Sequence, residues 1–561
     1  MTRAAVALFA AAALAAQVPV VSASGENMRL ASWSITLGAG GGWALTLQMD
    51  DDNGDGSLPT SFRRWWHCQV ANLVPGTPLS FRVTNAGYSD VILPVWSLST
   101  DGVNFGPYTR MPTSAVPQVQ GGTQHLFGVT VPPGVVAMRV AKFFPYTVAR
   151  KDALLASVAG DPRVRSVVSL GASQQGRPIE KVEWTDGTVP DAGKQRVWIH
   201  AGVHPAETTS HLMVEGLFDW LRSGELEAEV LLDNALIEVV PMANPDGVFL
   251  GNYRTNANSS NLEAQWSAPY TSPQPEVVAL RTAIEGYMGT PQNPASHPIR
   301  VLLNLHSTHN VTYPFHFRHV ANPGWAPGCT SCGVLPVVHQ AENDWITRFA
   351  ARSPLVALGS TANSTLGSRP FVESMCHDRW TAAPGWLGAP SFEEPVMAIT
   401  FEGTYARGPN GSSWSTEADY LQCGREMGLA LFDHLGLGIS ASVSSYGSAC
   451  QTVNMTGSLA LQPDLSHLLL LVVSAGPPNG VAVLAVGGAA AQVPLPGPWS
   501  ACTLLAQPDV TAVLPLSLFG TAIGQVTVPP VPGLVGYLQA VTLAAGAGLD
   551  ASNGLRVQND F

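Results

Sequence analysis

The chain has 561 residues, a net charge of −12 and only 12% charged residues, against a typical ~25%. That length exceeds a single core and divides into about three domains. The acidic balance argues against nucleic acid as a partner, and no basic stripe offers itself to a membrane surface.

Residues 1–24 read as a signal peptide. Arg3 is a minimal positive start, Ala4 to Ala16 is apolar, and Val21-Ser22-Ala23 is an A-x-A-like cleavage site. Gln17 and Pro19 interrupt the apolar run, which is too short to span a bilayer. The expectation is a secreted, periplasmic or cell-surface protein with no stable membrane insertion after cleavage. Residues 25–145 alternate short apolar runs, such as Trp43-Ala-Leu-Thr-Leu and Leu79-Ser-Phe-Arg-Val, with Gly, Asn and Pro turns. That pattern predicts a β-sandwich. Within it, Asp51-x-Asn53-x-Asp55-Gly56 is similar to the first half of a calcium loop. Loop position 12, where Glu is expected, is Phe62, so an acidic solvated hairpin is the favoured reading.

Residues 146–438 carry the α/β signals. A helix is predicted around Ala149–Ser157 and another from Ser415 to Leu435. Strands are predicted at Val197–Ala201, Asn234–Val240, Ile299–Leu305 and Val396–Phe401, each a Val/Ile/Leu-rich run bounded by turn residues. Polar groups gather at the carboxyl ends of these strands, where open α/β sheets bind ligands. His204 and Glu207 follow the first. The turn-rich Pro241-Met-Ala-Asn-Pro-Asp-Gly247 and then Gly251-Asn-Tyr-Arg254 follow the second. His306 ends the third and Glu402 the fourth. A His and a Glu three apart can share one zinc ion, and a catalytic zinc needs three protein ligands plus an open position. With 14 His and 40 acidic residues, chance supplies about one such pair, so the weight lies in the ordered set. The segment His309–Pro395 is a long aromatic and Pro-rich insert expected to cover the site.

Residues 439–449 are Gly/Ser/Ala-rich and read as a linker. Residues 450–561 hold Val/Leu runs, Pro-Gly turns and almost no charge, which predicts a second β-sandwich. Of seven cysteines, Cys450 with Cys502 and Cys376 with Cys423 are candidate pairs, Cys329 and Cys332 form a local C-x-x-C, and Cys68 is left over.

Taken in order, four motifs resemble those of the carboxypeptidase A-like zinc metallopeptidases. They are H-x-x-E at His204 and Glu207, the NPDG segment running to Arg254, His-Ser at His306, and T-F-E at Glu402. The wording GNYR and TFEGTY looks closest to the cytosolic-carboxypeptidase branch, which includes deglutamylases and carries a β-sandwich before the peptidase domain. The resemblance covers roughly residues 60–436. It implies a mixed-sheet catalytic domain, one Zn2+ held by His204, Glu207 and His306, and a peptide or protein substrate. It also implies Arg254 at the scissile carbonyl and Glu402 as general base.

The resemblance breaks at substrate recognition. The family's D-L-N-R-x-W stretch, whose Asn-Arg pair grips the substrate's terminal carboxylate, is here Asn261-Leu262-Glu263-Ala264-Gln265-Trp266. Glu263 repels a carboxylate and Ala264 cannot replace a bidentate clamp. Three readings stay open. The pocket accepts an amine or neutral end group with Glu263 pairing to a cation; another arginine (Arg318, Arg369, Arg379 or Arg407) reaches in; or the domain binds zinc without turnover. The expectation is an exported zinc metallopeptidase with atypical end-group recognition. The alternative is a secreted β-rich binding or surface protein whose peptidase-like domain is inactive.

Overall fold

An eight-stranded mixed sheet organises the central domain. Its strands are β1 (Val164–Ala172), β2 (Pro178–Trp184), β3 (Gln195–Ala201), β4 (Ala235–Val240), β5 (Ile299–Thr308), β6 (Phe315–His319), β7 (Ser360–Ser364) and β8 (Met397–Thr404). Their spatial order is β1-β2-β4-β3-β5-β8-β6-β7. The middle four, β4, β3, β5 and β8, run parallel. Parallel strands covered on both faces need apolar residues at successive positions, and Val197, Trp198, Ile199, Leu302 and Leu303 are all buried. Because the four run the same way, their carboxyl ends open on one edge.

Helices α1 (Thr209–Leu221), α2 (Pro245–Leu250) and α3 (Glu417–His434) matter most for the site. The stretch read as turns, Pro241–Gly247, instead runs into α2 from Pro245. Asn244 caps it by accepting from Gly247 N–H, Pro245 occupies its first turn, and Gly251 closes it at φ 70°, a conformation that suits glycine. Helix α3 starts with a capping box between Thr416 and Asp419.

The computed structural model describes residues 17–560 except 39–40, 291–292, 309–312, 323–332, 365–370, 382–395, 438–439, 462–466, 496–499, 501, 529–533 and 545–547. Much of the long insert, with Cys329, Cys332 and Arg369, therefore lies outside the described residues. The chain forms two units, residues 1–435 and 436–561. In the first, a sandwich of two five-stranded sheets precedes the central domain. One sheet contains Trp43–Gln48 and Pro78–Thr84, the other His67–Ala71 and Ala137–Ala141. Alternating inward residues, among them Leu47, Phe81, Val83, Val70 and Met138, form its core. In the second unit, a five-stranded and a three-stranded sheet enclose Leu469, Leu471, Leu484 and Val557.

Three expectations need correction. Val20–Ser22, inside the stretch read as signal peptide, is an edge strand paired antiparallel with Gln69–Ala71, and Val21 is buried in the sandwich core, so the folded sandwich starts before residue 25. Ser440–Tyr446, inside the stretch read as linker, is a strand paired with Gly554–Asp560 of the second unit. Its small polar residues hid a pairing decided by backbone hydrogen bonds. Cys450 and Cys502 form a disulfide, but Cys376 and Cys423 do not. Cys376 is buried beside Val372 and Met375 in one core, whereas Cys423 sits in α3 near the Ser353 hydroxyl. Among the described residues, no helix is long and apolar enough to cross a membrane.

Candidate metal centre and active site

The turn after β3 places the first two ligands. Gly202 there has φ 72°, and a Cβ would stand 2.1 Å from the His211 ring of α1. Only glycine lets the chain turn this closely, two residues before His204. His204 Nδ1 then lies 2.8 Å from Glu207 Oε1, His306 Nδ1 lies 2.8 Å from Glu207 Oε2, and the two Nδ1 atoms are 3.1 Å apart. All three side chains are buried. Ser307 N–H donates to Glu207 Oε2 at 3.0 Å and fixes the carboxylate.

Each histidine's other nitrogen has an oxygen in front of it. His204 Nε2 is 3.0 Å from Asn261 Oδ1, and His306 Nε2 is 3.3 Å from Glu263 Oε2. The Asn261 acceptor places the His204 ring proton on Nε2 and turns its Nδ1 toward Glu207, and His306 would present its Nδ1 to a metal on the same carboxylate. Two imidazole nitrogens and a carboxylate, with ligand atoms all within 4.8 Å of one another, are a donor set suited to zinc. The charges agree. Burial would lower the His306 pKa, but Glu207 and Glu263 carry it well above the ordinary value. Burial would raise Glu207, but His204 and His306 hold it well below. Two carboxylates on one imidazole leave the buried centre short of positive charge, the electrostatic condition for holding a cation.

Glu402 and Arg254 face the same cavity of about 250 Å³, which His204, Glu263, His306, Phe317, His319, Phe371, Glu373 and Thr400 also line. Glu402 stands opposite His306 on the neighbouring strand. Its carboxyl is pushed up to about 8 by burial and then by Glu207, with His306 and Arg254 opposing. Arg254 Nη1 is 3.9 Å from Glu207 Oε1. The structure thus brings His204, Glu207, His306, Arg254, Glu402 and Glu263 together. Ala264, exposed on the same turn, is not among the residues lining the cavity. Of the alternative arginines, Arg318 bonds Asn343, Arg379 pairs with Glu285, and Arg407 reaches the Gly411 carbonyl. Among the described residues, Arg254 is the arginine on this cavity.

Glu373 went unread in the sequence. It sits in a short helix of the insert, a region without apolar periodicity or a motif to mark it. Its carboxylate accepts from the Thr400 hydroxyl, Asn304 Nδ2 donates to Thr400 at 3.1 Å, and the same Nδ2 donates to Glu263 at 3.1 Å. A polar chain therefore joins two buried acids on the cavity wall. Burial, then Glu263, push Glu373 up to about 7, whereas histidines His306, His204 and His200 overcome burial and lower Glu263.

An α/β sheet with a two-histidine, one-carboxylate centre at the ends of its parallel strands, beside a base and a guanidinium, defines a metallopeptidase-type domain. Residues 152–353 match the zinc carboxypeptidase family model. Cytosolic carboxypeptidase 6 of Caenorhabditis elegans is 34% identical over 114 residues, 20% of this chain and 24% of that protein. Cytosolic carboxypeptidase 2 of Xenopus tropicalis is 27% identical over 247 residues, 40% of this chain and 25% of that protein. The matched regions span only a minor part of these relatives. A metallo-carboxypeptidase from Burkholderia cenocepacia superposes with a TM-score of 0.57 at 22% identity, covering 75% of this chain and 99% of its own. One from Pseudomonas aeruginosa, solved with (2-guanidinoethylmercapto)succinic acid, gives 0.55 at 21%, covering 74% and 99%. At these identities the likeness is one of fold.

Proposed function

We propose that this protein is an exported zinc metallopeptidase that cleaves a peptide or peptide-like amide beside a cationic, not an anionic, end group. The convergence of His204 Nδ1, His306 Nδ1 and Glu207 within 2.8–3.1 Å, with Glu402 and Arg254 on the same cavity, carries the reading. His204, Glu207 and His306 would hold zinc, which would supply a Lewis acid and lower the pKa of water to about 7. Glu402 takes the proton of the attacking water and returns it to the leaving nitrogen. Arg254 faces the oxygen that gains charge, and a single donor of this kind contributes about 3–4 kcal/mol. Asn261 and Glu263 hold the outer nitrogens of the ligand histidines.

The end-group preference follows from charge. Glu263 and Glu373 are both more than nine-tenths buried on the cavity wall, and among the described residues a substrate carboxylate against them meets two acids and no arginine clamp beyond Arg254. An ammonium or guanidinium meets paired acceptors. Export rests on Arg3 and the Ala4–Ala16 run; processing that leaves the sandwich whole falls before the Val20–Ser22 strand, not at Ala23. Recovery from the cell exterior of a chain that lacks the Ala4–Ala16 run supports it, and an unprocessed intracellular chain rejects it.

The deciding experiment combines metal analysis with hydrolysis. Wild type holds one zinc and His204→Ala none. Glu402→Gln keeps zinc but loses about 10²–10⁴ in kcat. A peptide panel with free, amidated and amine-bearing ends is cleaved fastest at the amine-bearing ends. Zinc retention with equal background rates for wild type and Glu402→Gln would instead establish a zinc-holding binding domain.

A further inference from the structure

The acidic segment after Trp43–Gln48 is not the solvated hairpin expected: Asp52–Gly54 is a short helical turn between strands of different sheets, and Asp51 and Asp52 are buried. Asp50 pairs with Arg29 at 2.9 Å, Asp51 with Arg63 at 2.6 Å, and Asp55 caps its own turn through Ser57 at 2.6 Å. Asp52 does something different. It is 2% exposed, belongs to the sandwich, and reaches into the central domain. Its Oδ1 accepts from Tyr253 N–H at 2.6 Å, and its Oδ2 accepts from Arg254 N–H and Thr255 N–H, both at 2.8 Å.

We propose that Asp52 is a positioning residue for Arg254, so that the N-terminal sandwich is a working part of the active site and not an appended module. The proposal rests on the hydrolase reading above.

Three consecutive backbone N–H groups converging on one carboxylate form an anion-holding concavity. Here the anion is the protein's own side chain. The central residue of the three is the arginine on the cavity. The neighbouring residue reinforces the clasp. Asn53, at φ 57°, donates its N–H to Asn252 Oδ1 at 3.0 Å and its Nδ2 to Asn256 O at 2.8 Å, while Asn252 Nδ2 donates to Asn53 Oδ1 at 2.8 Å. The segment 252–256 is thus held on both sides of Arg254. The sandwich also touches the side chain, since the Phe62 ring lies 5.5 Å from the Arg254 guanidinium. Phe62 is the residue that broke the calcium-loop pattern; here it supports a cation.

The physical role is preorganisation. A long, flexible arginine side chain contributes fully to a developing charge only if it waits in place. Its root is fixed by Asp52 and its head rests near Phe62 and Glu207. All three Asp52 contacts are N–H donors, so Asp52→Asn keeps the shape but turns an NH2 donor toward them.

The test uses the full zinc-loaded chain. Asp52→Asn is expected to bind one zinc per chain, to lower kcat about 10–100-fold and to change KM less than about threefold. On an Arg254→Ala background the same substitution costs nothing further, within about threefold. Phe62→Ala, at a half-buried site that should tolerate it, shows a smaller kcat loss that likewise vanishes without Arg254. Hydrogen exchange gives a readout apart from turnover. The amides of 253–255 exchange at least about tenfold faster in Asp52→Asn, while those of the sandwich strands and of 203–207 keep wild-type rates. Losses that add to that of Arg254→Ala, a kcat within twofold of wild type, or faster exchange throughout the sandwich each overturn the proposal. The control Asp101→Asn, at a remote turn of the same sandwich, leaves kcat unchanged. A wild type that hydrolyses no amide defeats the hydrolase reading instead; the exchange pattern then decides alone whether Asp52 holds this segment.

Discussion

Glu402 and Arg254 are coupled by charge, and that coupling has a direction. A general base works in its ionised form, so kcat/KM falls as pH drops through the Glu402 titration. Burial and Glu207 push that titration up to about 8, and Arg254 is among the groups that oppose them. A bound dication would oppose them too, moving the limb in the same direction as Arg254 does. Removing the guanidinium in Arg254→Ala therefore moves the limb to higher pH, beyond any loss of rate. Profiles of kcat/KM for the two proteins check this, and a limb that stays put rejects Glu402 as its source. Glu263 has two tasks at the same scale. It faces His306 Nε2 at 3.3 Å and accepts from Asn304 at 3.1 Å. Glu263→Gln should weaken zinc binding about 10–100-fold, the usual cost of losing a partner of a ligand histidine. It should also erode the preference for amine-bearing ends. Competition with a chelator measures the first effect, and unchanged affinity would leave Glu263 a substrate contact alone.

At the scale of elements, helices α1 and α3 approach so closely that two glycines are obligatory. A Cβ on Gly216 would stand 1.9 Å from Leu421 O, and one on Gly424 would stand 2.0 Å from Met213 O. Backbone cannot yield as a side-chain tip does, so Gly424→Ala should destabilise the first unit by about 3 kcal/mol, at the upper end of overpacking. Urea midpoints report it. Since α1 begins at Thr209, two residues after Glu207, and its hydroxyl bonds Ser307, zinc affinity should fall as well. The same elements show what the sequence made visible. β3, β5 and β8 are apolar runs with chemistry at fixed offsets from their ends, so His204, Glu207, His306 and Glu402 could be placed without coordinates. Helix α2 was equally written in the chain, as Asn cap, Pro in the first turn and Gly at the close, but its six residues resemble a turn. Glu373 was not visible, because it joins the site through Thr400 and Asn304, contacts made only once distant segments meet. Asp52 lay in plain view among four acids and was unreadable for the same reason: its donors are some 200 positions away in the chain.

For the whole molecule, the division at residue 435 separates the chemistry from a second unit with its own core and its own cross-link. Every zinc-ligand candidate, Glu402, Arg254 and the Asp52 clasp lie in the first unit. The second is β-rich and closed by Cys450–Cys502, which spans 52 residues. By loop entropy, a bridge of that span stabilises its unit by roughly 4 kcal/mol. Its core is supplied by alternating Val and Leu on opposed sheets, Leu469, Leu471, Leu484 and Leu538 among them, with little charge to add. Loss of the bridge therefore removes a large share of a stability that is typically only 5–15 kcal/mol. Cys450→Ser in the full chain is expected to make residues 436–561 sensitive to limited proteolysis at protease levels the parent resists. Zinc content should stay at one per chain, because the proposed ligands His204, Glu207 and His306 all lie in the first unit. Cleavage sites mapped by mass spectrometry distinguish the outcomes. Fragments confined to the second unit support this division of labour, whereas zinc loss in step with proteolysis of the second unit would show that the metal centre depends on it.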